Sequence, residues 1–178
     1  MKRLALIAAA AVSLAACAEE PMGPIGPTAS VPAAAGSANV FRDEDFGWST
    51  AGGSGSIAGT LGFRTNSARY SCQGGDVILL PETAWTRRRM VILYGSPAAA
   101  AVPLDIVRAR TPSAPSGNYA RYAKRTTCDA ENHFGFTGLP DGPWFVITIA
   151  KPVDGAGDPF AVMRRVETRG GQKFVSLN

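Results

Sequence analysis

The sequence is poor in histidine, cysteine and charge. A single histidine, His133, stands among 178 residues, so no metal site built on several imidazoles is possible. Cysteines number three, and charged residues make up only 18% of the chain. No Gly-x-Ser-x-Gly elbow accompanies His133, which removes the usual frame of a Ser-His-Asp hydrolase. A glycine-rich phosphate loop is missing, and no period of about 20–50 residues repeats. No run of about 20 apolar residues is long enough to cross a bilayer. What is present is ordinary in bulk: 46% hydrophobic residues, with 20 Gly and 13 Pro, enough for one folded unit with many turns.

The N-terminus carries an address. Met1-Lys2-Arg3 is a short cationic stretch, and Leu4 to Leu14 is apolar. That stretch is too short to span ~30 Å of hydrocarbon but has the build of an export signal. Small residues then lead to a cysteine in Leu14-Ala15-Ala16-Cys17, which resembles the lipobox of bacterial lipoproteins. The resemblance implies cleavage after Ala16 and acylation of Cys17. Because Ala18 rather than aspartate follows, it also implies outer-membrane sorting, facing the periplasm or the cell exterior. Two or more acyl chains, at ~0.8 kcal/mol per buried CH₂, hold a protein stably where one does not. The membrane, through Cys17, is therefore an expected partner. Loss of Lys2 and Arg3 lowers the formal charge from +4 to +2, too slight a basic excess to predict nucleic-acid binding.

With Cys17 lipidated, Cys72 and Cys128 remain as a pair suited to an oxidising compartment. The alternative is two reduced, buried thiols.

Three regions are expected: a signal peptide over 1–16, a lipidated Pro/Gly/Ala-rich linker over 17–55, and a folded domain over 56–178. Pro21, Pro24, Pro27 and Pro32 mark the tether. Residues 39–56, with Phe41, Phe46 and Trp48 around Asp43-Glu44-Asp45, read either as a peripheral strand or as linker that docks by its aromatics. From Ser56 the hydrophobic period is two: Ile57, Gly59, Leu61 and Phe63 share a face. Val77 to Leu80 and Trp144 to Ala150 read as central strands, the latter with Trp144, Val146 and Thr148 on one side and Phe145, Ile147 and Ile149 on the other. Thr86 to Tyr94, ending at Gly95, predicts one short inserted helix. Leu104 to Arg110 is expected to be a short strand, and Tyr119 to Cys128 to be extended. Pro159 to Thr168 and Phe174 to Leu177 are expected to form a closing hairpin through Gly170-Gly171. About seven short strands with one small helix predict an all-β, antiparallel β-sandwich.

Three local patterns then fall in order. Ser56-Ile57-Ala58-Gly59-Thr60 opens the domain. Asp129-Ala130-Glu131-Asn132 runs into Phe134-Gly135-Phe136, Leu139-Pro140-Asp141-Gly142 and Trp144, and Gly170-Gly171-Gln172 leads to Val175 and Leu177. Together they resemble the carboxypeptidase regulatory-like, or transthyretin-like, family over about residues 56–177. The resemblance implies a seven-stranded prealbumin-like β-sandwich. Asn132 stands where the family often has glycine, and asparagine visits the left-handed region more easily than most residues.

Catalytic machinery is not predicted. His133 reads as a polar turn residue. The chain ends Val175-Ser176-Leu177-Asn178 instead of the Tyr-Arg-Gly-Ser of hydroxyisourate hydrolases. The carboxylates Asp43, Glu44, Asp45, Asp129 and Glu131 lack EF-hand spacing and read as solvated loop charges. No metal or cofactor is expected. Two functions of different class remain. One is a non-catalytic envelope module that docks another envelope protein. The other is a glycan-binding module, for which Trp48 and Trp85 are the candidate residues if they prove exposed and coplanar. If both are buried, the glycan reading that rests on them falls away.

Overall fold

The computed structural model describes residues 38–178. Nine strands occur among these residues: β1 (Gly55–Leu61), β2 (Tyr70–Ser71), β3 (Asp76–Pro81), β4 (Ala99–Pro103), β5 (Lys124–Thr127), β6 (His133–Leu139), β7 (Gly142–Pro152), β8 (Phe160–Thr168) and β9 (Gln172–Leu177). Two helices join them, α1 (Ala84–Tyr94) and α2 (Leu104–Arg110), with short 3-10 segments at Asp43–Thr50, Thr111–Ser113 and Tyr119–Tyr122.

The strands form two sheets. The smaller has the order β6-β1-β9, and the larger β4-β8-β7-β3-β5, with β2 continuing the line of β3 along β7. Ile57, Val77, Leu79, Trp144, Val146 and Val175 fill the space between the sheets. A second apolar layer lies on the other face of the larger sheet. There Phe145, Ala161 and Met163 meet Met90, Leu93 and Tyr94 of α1 and Val107 of α2. The alternation expected along β7 therefore holds: Trp144 and Val146 point between the sheets, and Phe145 and Ile147 point to the helices. A strand buried on both faces is the physical source of that continuous apolar run.

Several expectations are corrected. The β-sandwich is not wholly antiparallel, because β9 pairs with β1 in parallel, Gly59 opposite Val175 and Leu61 opposite Leu177. Hence β8 and β9 are not a hairpin. Gly170 and Gly171, both at φ 64°, swing the chain from one sheet to the other, a backbone conformation natural to glycine. Leu104–Arg110 is helical, not extended, with Asp105 in its first turn and Arg108 and Arg110 in its last, an order that suits the helix dipole. Among the described residues the helices thus number two rather than one. Residues 99–103, for which the sequence pattern names no element, form β4 against β8. Helix α1 starts earlier than expected, at Ala84, because the cap is Thr83 and Thr86 is its reciprocal partner: Thr86 N–H donates to Thr83 Oγ1 at 3.1 Å and Thr83 N–H to Thr86 Oγ1 at 2.7 Å. Of the expected extended run 119–128, only Lys124–Thr127 is strand.

The linker boundary at residue 55 also moves. Asp43–Thr50 is a 3-10 segment with Phe46 fully buried, so the folded unit includes residues before β1. Signal peptide, lipobox and Cys17 lie outside the described residues. Among those described, no helix is long and apolar enough to cross a membrane.

Candidate functional site

The candidate aromatics come first. Trp85 is fully buried in α1, ringed by Phe41 (centroids 5.3 Å), Phe46 (6.3 Å) and Tyr119 (5.2 Å), with the Arg89 guanidinium 5.8 Å from its centroid. Its Nε1–H has no hydrogen-bond partner among the described residues. A side chain closed in this way presents no platform to a sugar. Trp48 is half-buried and packs edge-on against Trp144, 4.9 Å between centroids, in a space that a Cβ on Gly142 would invade at 2.4 Å. Both tryptophans are packing residues. The docking of residues 41–50 by their aromatics, one of the two readings of that segment, explains them.

Cys72 and Cys128 form a disulfide, Cα–Cα 5.7 Å, and both are buried. Beside them Asn132 takes the left-handed conformation (φ 66°), and its Oδ1 accepts from Ser71 Oγ at 2.7 Å and Cys72 N–H at 2.9 Å. Asp129 Oδ1 accepts from the backbone N–H groups of Glu131 and His133, so it shapes the turn before β6. His133 is exposed there, its Nδ1 3.6 Å from Asp129. Asp43 is exposed and ion-paired with Arg121, whose hydrogen bond holds that carboxyl below the usual range. Among the described residues no three His, Cys, Asp or Glu side chains converge on one point.

A large concavity lies elsewhere, at the open corner where β8 and β9 part. It is a groove of about 750 Å³, lined by residues 164–170 and 172–178 in part. Three local features make it. First, β4 stops opposite Arg164, so among the described residues the outer edge of β8 has no strand partner beyond Arg165. Second, β9 is the edge of its sheet. Its odd-numbered carbonyls turn to β1, as Gly171 O accepts from Ser56 N–H (2.9 Å) and Leu177 O from Gly62 N–H (2.8 Å). The even-numbered backbone groups therefore face the groove, and Arg164 Nη1 reaches Ser176 O there at 3.1 Å. Third, β9 alternates: Val175 and Leu177 enter the core while Phe174 stands out, 65% exposed.

Charged groups frame this aromatic. Arg164 Nη1 also donates to Asn178 Oδ1 at 2.9 Å. Arg165 is paired with Glu82 and lies 3.7 Å from Glu167, while Arg169 donates twice to Glu167 at 3.1 and 3.0 Å. Gln172 and Lys173 line the mouth. An exposed ring flanked by guanidinium, amide and carboxylate groups can hold a ligand that has both an apolar face and hydrogen-bonding edges. Sequence reasoning missed this site because Phe174 fits a strand pattern equally well facing in or out. The signal that was available was parity with Val175 and Leu177.

Comparison with known proteins adds a fold-level likeness. No protein-family model matches the chain, and no curated protein matches it. Among solved structures, the chain is similar to a Pseudomonas aeruginosa protein provisionally described as carbohydrate binding. The TM-score is 0.57 at 21% identity, over 77% of this chain and 96% of that one. At that identity the shared property is the fold: mostly β-sheet, in two packed layers.

Proposed function

We propose that this chain is an exported, lipid-anchored β-sandwich that binds carbohydrate in the groove between β8 and β9 and performs no chemistry of its own. The observation that carries the reading is Phe174, 65% exposed on the strand that buries Val175 and Leu177, beside a polar groove of about 750 Å³. An exposed ring on a rigid strand costs hydration and gains nothing for folding, whereas the C–H face of a sugar would cover it. The description of the P. aeruginosa neighbour as carbohydrate binding is in keeping with this. The export signal and lipobox support an address in the envelope of a bacterium, outer-membrane sorting included. Gly59 in β1 and the Leu139–Trp144 turn support membership of the transthyretin-like, carboxypeptidase regulatory-like group.

The test is a polysaccharide and glycan array probed with the full-length protein in detergent. Binding is expected to at least one glycan and to be lost in Phe174→Ala, while unfolding free energy stays within about 0.5 kcal/mol, as for surface substitutions generally. A protein that binds no glycan, or a variant that binds as well as the parent, sinks the reading.

A second reading, docking of an envelope protein, draws on one observation. The outward backbone groups of β9 form an edge onto which an extended segment could add as a further strand.

A further inference from the structure

We infer that the carbohydrate held in the β8–β9 groove is acidic, bearing carboxylate or phosphate on its sugars. This rests on the carbohydrate reading above and deepens it. Four of the charged side chains lining the groove are basic, Arg164, Arg165, Arg169 and Lys173, and one, Glu167, is acidic. That carboxylate is already shared, by Arg169 at 3.0 Å and Arg165 at 3.7 Å, and Arg165 also takes Glu82 from behind. Among the described residues, no carboxylate side chain pairs with Arg164 or Lys173.

Arg164 is the better placed of those two. Its Nη1 is fixed by two neutral acceptors, Ser176 O and Asn178 Oδ1, which hold the guanidinium between the sheets without cancelling its charge. Its Nε and Nη2 have no partner among the described residues, and they are one edge of the planar fork that grips carboxylate or phosphate with two parallel hydrogen bonds. Lys173 adds a point charge next in the chain to the Phe174 ring.

The donor inventory favours the same ligand class. Arginine and lysine donate and never accept, whereas the hydroxyls of a neutral sugar need both kinds of partner. A lining dominated by donors matches a ligand whose charged groups only accept. A cleft edged by one sign of charge also raises the local concentration of opposite charge.

The experiment uses the full-length protein in neutral detergent and two polysaccharide pairs, each a charged polymer and an uncharged form of the same backbone. One pair is polygalacturonate and its fully methyl-esterified form; the other is phosphomannan and its dephosphorylated form. The charged member of at least one pair is expected to bind about tenfold tighter than its neutral twin, the scale of one charge-assisted hydrogen bond. The gap should narrow between low and high salt as the screening length shortens. Lys173→Glu, at an exposed position, should weaken binding of the charged member several-fold. The pair that shows the gap distinguishes carboxylate from phosphate. Equal affinity within both pairs overturns the acidic assignment and leaves carbohydrate binding standing. Absence of binding to all four polymers and to a neutral glycan array overturns the carbohydrate reading itself. Equal binding of polyglutamate, unaffected by Phe174→Ala, overturns the assignment in favour of general polyanion attraction.

Discussion

Gly59 shows how one residue is set by its neighbours. It sits mid-strand, opposite Phe134 on one side and Val175 on the other. A Cβ there would meet the Phe134 ring at 2.3 Å and the Val175 side chain at 2.7 Å, so the missing side chain is what lets that ring cover β1. The period-two pattern placed this glycine on the inward face, and there it is. The tryptophans were less legible, because a tryptophan next to a helix start or a turn reads the same whether its ring meets solvent or core. Trp85 met Phe41, Phe46 and Tyr119, contacts from segments far apart in the chain that no local pattern reveals. Tyr94, buried at the other end of the same helix, carries a titration prediction. Burial pushes its phenol up to about 12, helped by Tyr119 and opposed by Arg89. The fold thus favours the neutral ring. The stability this confers is complete below the ordinary tyrosine range near pH 10 and is lost as pH rises from there towards about 12. Absorbance titration should show one of the four tyrosines ionising late, and its replacement in Tyr94→Phe should remove that late step.

Elements with local signals were read well, and elements defined by distant partners were not. Helix α1 is announced by threonine at its start and Gly95 at its end, where the backbone turns left-handed at φ 74°. Thr83→Ala would break the reciprocal cap and should cost about 1 kcal/mol in urea unfolding. An unchanged midpoint would show that the packing of Trp85 and Met90 alone holds the helix start. Helix α2 escaped because it is only seven residues long and follows proline, so it shows little more than one period. Strand β9 was placed in sequence but misassigned in partner. Two glycines after β8 look like a hairpin turn, and nothing in the adjacent residues announces that the strand will pair with β1 over a hundred positions earlier. The candidate groove shares that origin. It exists because β9 leaves β8 and because β4 is short, and both are facts of topology.

At the scale of the whole molecule, the disulfide ties the end of β2 to the end of β5 across 56 positions. The chain-entropy model gives such a loop about 4 kcal/mol, so reduction should lower the denaturant midpoint markedly without abolishing the two apolar layers. Intact mass of the membrane-extracted protein would examine the bridge and the proposed anchor together. Expected is the mass of residues 17–178 plus acyl chains, with Cys72 and Cys128 alkylated only after reduction. An unacylated product would remove the anchor, and thiols alkylated without reduction would remove the bridge. The parallel pairing of β1 with β9 has a mechanical consequence as well. A domain tethered ahead of β1 and gripping its ligand along β9 would feel any pull between them along the strand direction. The rungs joining those two strands would then be loaded together, as in a sheared lap joint, instead of opening one at a time like a zipper.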